Sequence, residues 1–379
     1  MEIPHIHIEL ALLQSIRQWD WRLDAQVSGV QLNVVQQETG AWAVKELLAL
    51  GKSRLDVRER AVNWILKQAE WQFSDVSLAI HPYQQASLSL TDAQLTNRNR
   101  GQRHDFRLTA NLNQQPIKLF ADIKSAKNPL IISAWQGRVY AKVAPQTWLP
   151  RLKTQHLAND LTVASLTVGG EFWLKLSNGV AEQVIAQLDA PDVLATYQKQ
   201  NYHLQQLKGL FAWQQQKPEL WQVTAEHLQG FINRRVMPLT TLSVEKKSPL
   251  LTIAGEKINL EQMALLVQEV PAPAALKKWL AVAKPSGQIS NIAVQLTENN
   301  DGTAKIHQVS AVFDRLSAVA TNDYSGFNNI SGWLNHAELG GAAAIHIDNG
   351  ELDLRQVYRV PTMVESLKAT LQWQQMGDD

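Results

Sequence analysis

The chain has 379 residues, with 36 Lys and Arg against 35 Asp and Glu, 45% hydrophobic residues and 19% charged ones. A net charge of +1 gives no electrostatic support to nucleic-acid binding, and the hydrophobic content excludes wholesale disorder. With no cysteine in the chain, Cys-ligated zinc, iron–sulfur clusters, disulfides and thiol chemistry are all out. The 13 Trp outnumber the 8 Phe and the 6 Tyr, and Gln is about one residue in ten. That bias suits a large half-exposed β-sheet better than a helical bundle. No run approaches the roughly 18–20 apolar residues of a membrane span. The start, Met1-Glu2-Ile3-Pro4-His5, lacks the basic and apolar blocks of a signal peptide.

Period two governs the pattern. Trp19, Trp21, Leu23, Ala25 and Val27 alternate with polar residues, which predicts a strand with one apolar face. A helix is expected over Asp56–Gln68, where Val57, Ala61, Trp64 and Ile65 share one face behind a capping Asp. Strands follow over Trp71–Ile80, then Phe106–Leu112 and Ile117–Ile123 as a hairpin. Ala144–Lys153 reads as a short helix. Further strands are predicted over Gly170–Leu176, Val180–Leu188 and Trp221–Leu228. Helices over Asn259–Val267 and Ala274–Ala283 flank the breaker Pro271-Ala272-Pro273, and the second stops at Lys284-Pro285-Ser286-Gly287. Strands resume over Ile289–Leu296, Ala304–Phe313 and Ala343–Ile347. Turns are expected at Glu38-Thr39-Gly40, Asn178-Gly179, Asn300-Asp301-Gly302 and Asn349-Gly350. A loose echo joins Leu207–Trp213, Ile330–Leu334 and Leu367–Trp373, as if successive hairpins were added to one growing sheet.

The fold class expected is therefore mainly β, a long twisted antiparallel sheet of successive hairpins curling into an apolar groove, with a few short helices. We read 1–379 as a single elongated unit, with a finer subdivision into 1–155, 156–285 and 286–379. An apolar sheet face needs a cover, and the helices are too few to supply it. A groove that accommodates lipid or a sheet curled on itself would each answer that need.

Chemistry is sparse. No phosphate-binding loop, dinucleotide fingerprint, nucleophile elbow or HExxH is present. His5 and His7 share a strand face but find no third ligand, and His336 and His346 lie on adjacent strands without an orienting acid pattern. Asp348, Glu351 and Asp353 surround the expected turn as solvated residues. Arg98, Arg100, Arg103 and His104 form one local basic cluster, read as a solvated hairpin loop. Most of the Trp residues are expected to line core and groove. The expectation is a protein that is not an enzyme, with no catalytic residue, no metal and no cofactor.

Five stretches resemble the YhdP family of large AsmA-like envelope proteins. They are Ile8–Trp21, Leu95-Thr96-Asn97 with Arg103–Leu108, Trp279–Ile289, Phe313–Gly332, and Gly350-Glu351-Leu352 with Val360-Pro361. Their order matches along nearly the whole chain, with Ser325-Gly326 where the family has Pro-Gly. The resemblance implies a periplasmic protein held at the inner membrane through an anchor, with phospholipid acyl chains as its partner, no nucleic acid, and passive transport towards the outer membrane along a β-groove. It also implies an N-terminal or central fragment of a longer protein. Leu108, Ala110 and Leu119 are the expected lining of such a groove. The alternative is a non-conducting structural or interaction scaffold of the envelope, recruiting partners at edge strands near Ile6 and Leu371.

Overall fold

The computed structural model describes residues 5–12, 15–16, 22–36, 38, 42–45, 68–83, 87–126, 132–148, 161–197, 200–217, 219–237, 241–269, 274–298, 304–321, 324–355 and 360–374. Most of them are strand. The chain divides into two compact units, one of residues 1–157 with 164–190 and the other of 158–163 with 191–379.

The first unit carries β1 (His5–Leu10), β2 (Leu23–Ser28), β3 (Gln31–Gln36), β4 (Trp42–Val44), β5 (Glu70–His81), β6 (Leu88–Arg100), β7 (Arg103–Leu112), β8 (Gln115–Lys124), β9 (Gln136–Thr147) and β10 (Leu161–Ser177). Residues 161–163 at the start of β10 fall in the second unit, and strand β11 (Val180–Tyr197) contains the other division between the units. From β5 to β10 each strand pairs antiparallel with the next. The expectation of a purely antiparallel sheet needs one correction. Strands β2 and β3 both lie parallel to β5, against its first and second halves respectively. The chain leaves β3, runs through residues 37–69, and re-enters beside it in the same direction, a connection too long for a hairpin.

The second unit is antiparallel throughout its described ladders. It comprises β12 (Gln200–Lys217), β13 (Leu220–Ile232), β14 (Arg235–Val236), β15 (Thr241–Lys247), β16 (Leu250–Asn259), β17 (Ser286–Glu298), β18 (Ala304–Ala318), β19 (Gly326–Ala337), β20 (Gly340–Asp353) and β21 (Thr362–Gln374). Two short helices, α1 (Leu260–Glu269) and α2 (Ala274–Ala283), interrupt the ladder between β16 and β17. Asn259 caps α1, its Oδ1 accepting from the Gln262 N–H at 3.0 Å. Leu266, Leu280 and Ala283 turn inward. Among the described residues neither ladder closes on itself.

Local chemistry explains the turns. Asn113-Gln114, Asn178-Gly179 and Asn233-Arg234 each place both residues at positive φ, between 48° and 72°. Such two-residue connections match the strand twist, and Asn enters that region at little cost. Within strands, single residues at φ near 50° mark bulges. Asp75 and Asp92 sit at the register shifts of β5 and β6, and Asn291 and Arg315 at those of β17 and β18. The expected turn at Asn349-Gly350 is one of these bulges, because Asn349 has φ of 49° while β20 continues through it to Asp353. The expected helix over Ala144–Lys153 fails in its first half, since Ala144–Thr147 extend β9. Its second half, the helix over 56–67, Trp19–Trp21 and the turns at 39–40 and 300–302 lie outside the described residues.

Candidate functional site

Register assembles the apolar face. In the first unit, Ile6, Val27, Phe73, Leu95, Leu108, Leu119, Ala141 and Phe172 are successive cross-strand partners on eight strands. A second row, Ile8, Ala25, Trp71, Asn97, Phe106, Ala121, Val139 and Leu174, runs beside it with one polar member. Directly paired side chains on one face stand about 4.5–5.5 Å apart, so the first row is a continuous apolar strip and the second is interrupted at Asn97. Leu108 and Leu119 face each other across β7 and β8, and Ala110 pairs with Ile117 in the next row of the same face. Leu108 and Leu119 are half-buried, and Ala110 is 8% exposed. The first row is half-buried from Val27 to Phe172, whereas Trp71 and Asn97 in the second row are buried at 7% and 0% exposure.

The second unit repeats the device. Trp213, Val223, Val244, Ile253, Val294 and Val309 are consecutive partners from β12 to β18. The row then passes through His336 and Gly341 to Trp373, where the His336 ring stacks on the indole at 5.9 Å. Leu334, Ala343 and Leu371 form the neighbouring row.

At one end of the first unit the apolar face gives way to a buried polar knot. His104, 3% exposed, sets Nδ1 2.5 Å from Asn99 Oδ1, and that oxygen also accepts from Asn97 Nδ2 at 2.8 Å. Asn99 Oδ1 only accepts, so the imidazole proton sits on Nδ1, while Nε2 lies 2.7 Å from the Ser125 hydroxyl, which is also 2.9 Å from the Ala126 carbonyl oxygen. Burial holds the His104 pKa below its ordinary value. Of the four residues read as a solvated hairpin loop, His104 alone departs from that reading, while Arg98, Arg100 and Arg103 stay solvated. Alternation sends Arg98 to Glu70 and Arg103 to Asp122 on the outer face, while His104 turns inward. Hydrogen bonding from Arg103 pulls the Asp122 carboxyl below its usual range.

The remaining polar candidates do not converge. His7 pairs with Glu9 at 2.9 Å, His346 with Asp348 at 2.5 Å, and His336 and His346 sit five residues apart in register. Asp353 is held by Arg355. Among the described residues no group of His, Asp and Glu forms a metal-binding cluster, and no helix is long and apolar enough to cross a membrane. Trp71 is buried in the apolar face, whereas Trp173 and Trp333 project from the opposite faces at 38% and 41% exposure, two exceptions to the expectation that most Trp residues line core or groove. Trp173 continues a row with Phe120 and Tyr140 that sequence reasoning missed. Its signal is present as adjacent apolar residues, Leu119-Phe120-Ala121 and Val139-Tyr140-Ala141, which break strict alternation.

Both units are open, mainly β ladders with one predominantly apolar face. The family model described as YhdP protein matches residues 1–379, so the chain belongs to that family. No curated protein and no solved structure matches it.

Proposed function

We propose that the chain is a segment of a periplasmic, inner-membrane-anchored bridge that carries phospholipid acyl chains along its apolar sheet face towards the outer membrane. The observation that carries this reading is the unbroken row from Ile6 to Phe172, exposed at Ile6 and half-buried from Val27 onwards. Each methylene taken from water onto such a surface contributes about 0.8 kcal/mol. Because successive sites along a row are chemically alike, a chain slides between them without a deep trap and without nucleotide. Membership in the YhdP family supports an envelope role. The test is purification from cells, organic extraction and lipid mass spectrometry, with a photo-crosslinking residue at position 119. Phospholipid adducts at 119 and none at 118 are expected, and reproducible absence of phospholipid overturns the proposal.

A second reading rests on β1, whose six side chains are all exposed and whose one described partner is β2. Such an edge can recruit a partner by strand addition, which would make the chain an envelope scaffold. Partner capture that survives Leu119→Asp favours the scaffold, whereas loss of outer-membrane phospholipid supply in that variant favours transport.

A further inference from the structure

The face opposite the apolar rows carries its own cavity. In the first unit, Phe120, Tyr140 and Trp173 are consecutive cross-strand partners on β8, β9 and β10. Ring centroids lie 5.9 Å apart with planes at 25° for the first pair, and 5.5 Å apart at 51° for the second. Those separations exceed a face-to-face stack, so the rings are offset, and Phe120 and Trp173 remain 39% and 38% exposed. The strip floors a cavity of about 770 Å³, within the size range of small-molecule sites. Tyr140 is fixed by donating from its hydroxyl to Glu171 Oε2 at 3.0 Å.

Charge decides what kind of molecule fits. The carboxylates around the strip are already neutralised: Asp105 by Arg107, Asp122 by Arg103, Glu171 by Lys142 and Glu182 by Lys175. Lys118, Lys124 and Arg138 stand on the same face with no ion pair of their own among the described residues. Arg138 lies close enough to Asp122 to feel its field, and it borders both this cavity and a second of about 380 Å³ that includes Lys124. The result is an apolar ring platform, flanked by hydrogen-bonding rows, with surplus positive charge at its margin. A saccharide presents this complement, with apolar C–H faces for the rings, hydroxyls for the polar rows and an acidic group for the free cations. An acyl chain would strip water from the surrounding ion pairs without replacing it. A nucleic-acid strand would bring a phosphate at every nucleotide against the interspersed carboxylates.

We propose that the face of the first unit built around Phe120, Tyr140 and Trp173 is a binding site for an acidic saccharide, seated on the aromatic strip and held at its charged group by Arg138 and Lys124. The aromatic strip lies on the face opposite the row of Leu108 and Leu119, and the site goes beyond the lipid reading. The test titrates the whole chain with a galacto-oligosaccharide ending in a single galacturonate, a neutral galacto-oligosaccharide of equal length, a single-stranded oligothymidylate and phosphatidylglycerol vesicles, followed by tryptophan fluorescence and calorimetry. The acidic sugar should bind saturably and at least about tenfold more tightly than the neutral one. Arg138→Gln should bring the acidic sugar down to the neutral level, and Trp173→Ala should weaken both by about tenfold or more with an unchanged circular dichroism spectrum. Leu119→Asp, on the other face, should change neither. No saturable binding of the acidic sugar, binding indifferent to both Trp173→Ala and Arg138→Gln, or tighter binding of the oligothymidylate or the vesicles overturns the proposal.

Discussion

Leu119→Asp places a carboxylate in the middle of the apolar row, with five partners on the β1 side and two on the β10 side. Eight strands at about 4.8 Å spacing make the row roughly 34 Å long. One leaflet of a hydrocarbon core is about 15 Å, so the row has room for about two acyl chains end to end. A chain lying across position 119 would lose contact over about one strand spacing, roughly four methylenes and about 3 kcal/mol if fully buried. The face is open on one side, so about half of that applies, which corresponds to roughly tenfold less bound lipid. Leu119 is half-buried, and the substitution should lower stability by about 1–2 kcal/mol, small enough for the sheet to persist. The assay is phospholipid per protein after extraction, with far-ultraviolet circular dichroism as the fold control and Lys118→Asp, one residue away, as the control for a carboxylate on the other face. Equal lipid in wild type, Leu119→Asp and Lys118→Asp would refute the reasoning.

Other consequences follow from the same geometry. Lowering pH should cost stability through His104: its folded pKa lies below the ordinary 6.5 because of burial, so the unfolded chain takes up the proton first. Urea midpoints should therefore fall as pH drops below about 6.5, and His104→Gln should flatten that slope; an unchanged slope refutes the assignment. Gly332→Ala should be strongly destabilising, because φ is 156° and a Cβ there would meet the Ala344 carbonyl oxygen at 1.9 Å; a melting temperature within about one degree of wild type counts against the β19–β20 register. The exposed apolar side chains of β1 and β21, including Ile8 at 56% and Leu371 at 52%, should drive self-association. Sedimentation at several concentrations should show it, Ile8→Lys with Leu371→Lys should reduce it, and a monomer at every concentration without bound detergent would overturn that expectation.

Legibility in the sequence followed alternation. The hairpin of β7 and β8 could be read almost residue by residue, because Phe106, Leu108 and Ala110 alternate with polar residues and so do Ile117, Leu119 and Ala121. The bounds of α2 coincide with Ala274–Ala283, where a Pro-rich breaker and a helical period meet. What failed was backbone that reads alike in different settings. An Asn followed by Gly marks a turn at Asn178 and a bulge at Asn349, and both sit at positive φ; only the partner strand distinguishes them. The parallel pairing of β2 and β3 with β5 depends on contacts some 40 residues apart, which no local pattern encodes. Leu108, Ala110 and Leu119 could be placed on one face, whereas the Phe120–Tyr140–Trp173 strip was hidden because its members come from three strands and each lies beside apolar neighbours of the other face.

The bulges tie these observations together. A strand pair that slips by one residue exchanges its faces, so any extra residue in a ladder this long would send Leu and Val to the polar side. Between Phe73↔Leu95 and Val76↔Ala93, β5 advances three residues while β6 advances two, and Asp75 at φ 54° absorbs the surplus. Between Val76↔Ala93 and Leu78↔Leu90 the surplus passes to β6, where Asp92 at φ 53° absorbs it. Phe73, Val76 and Leu78 thus stay in phase with Leu95, Ala93 and Leu90. The β7–β8–β9 ladder, which holds Leu108, Leu119 and Ala141, has no shift at all. Polar residues at positive φ let each strand bend while its two faces remain chemically distinct. That separation is what an acyl-chain surface on one side and a saccharide site on the other would both require.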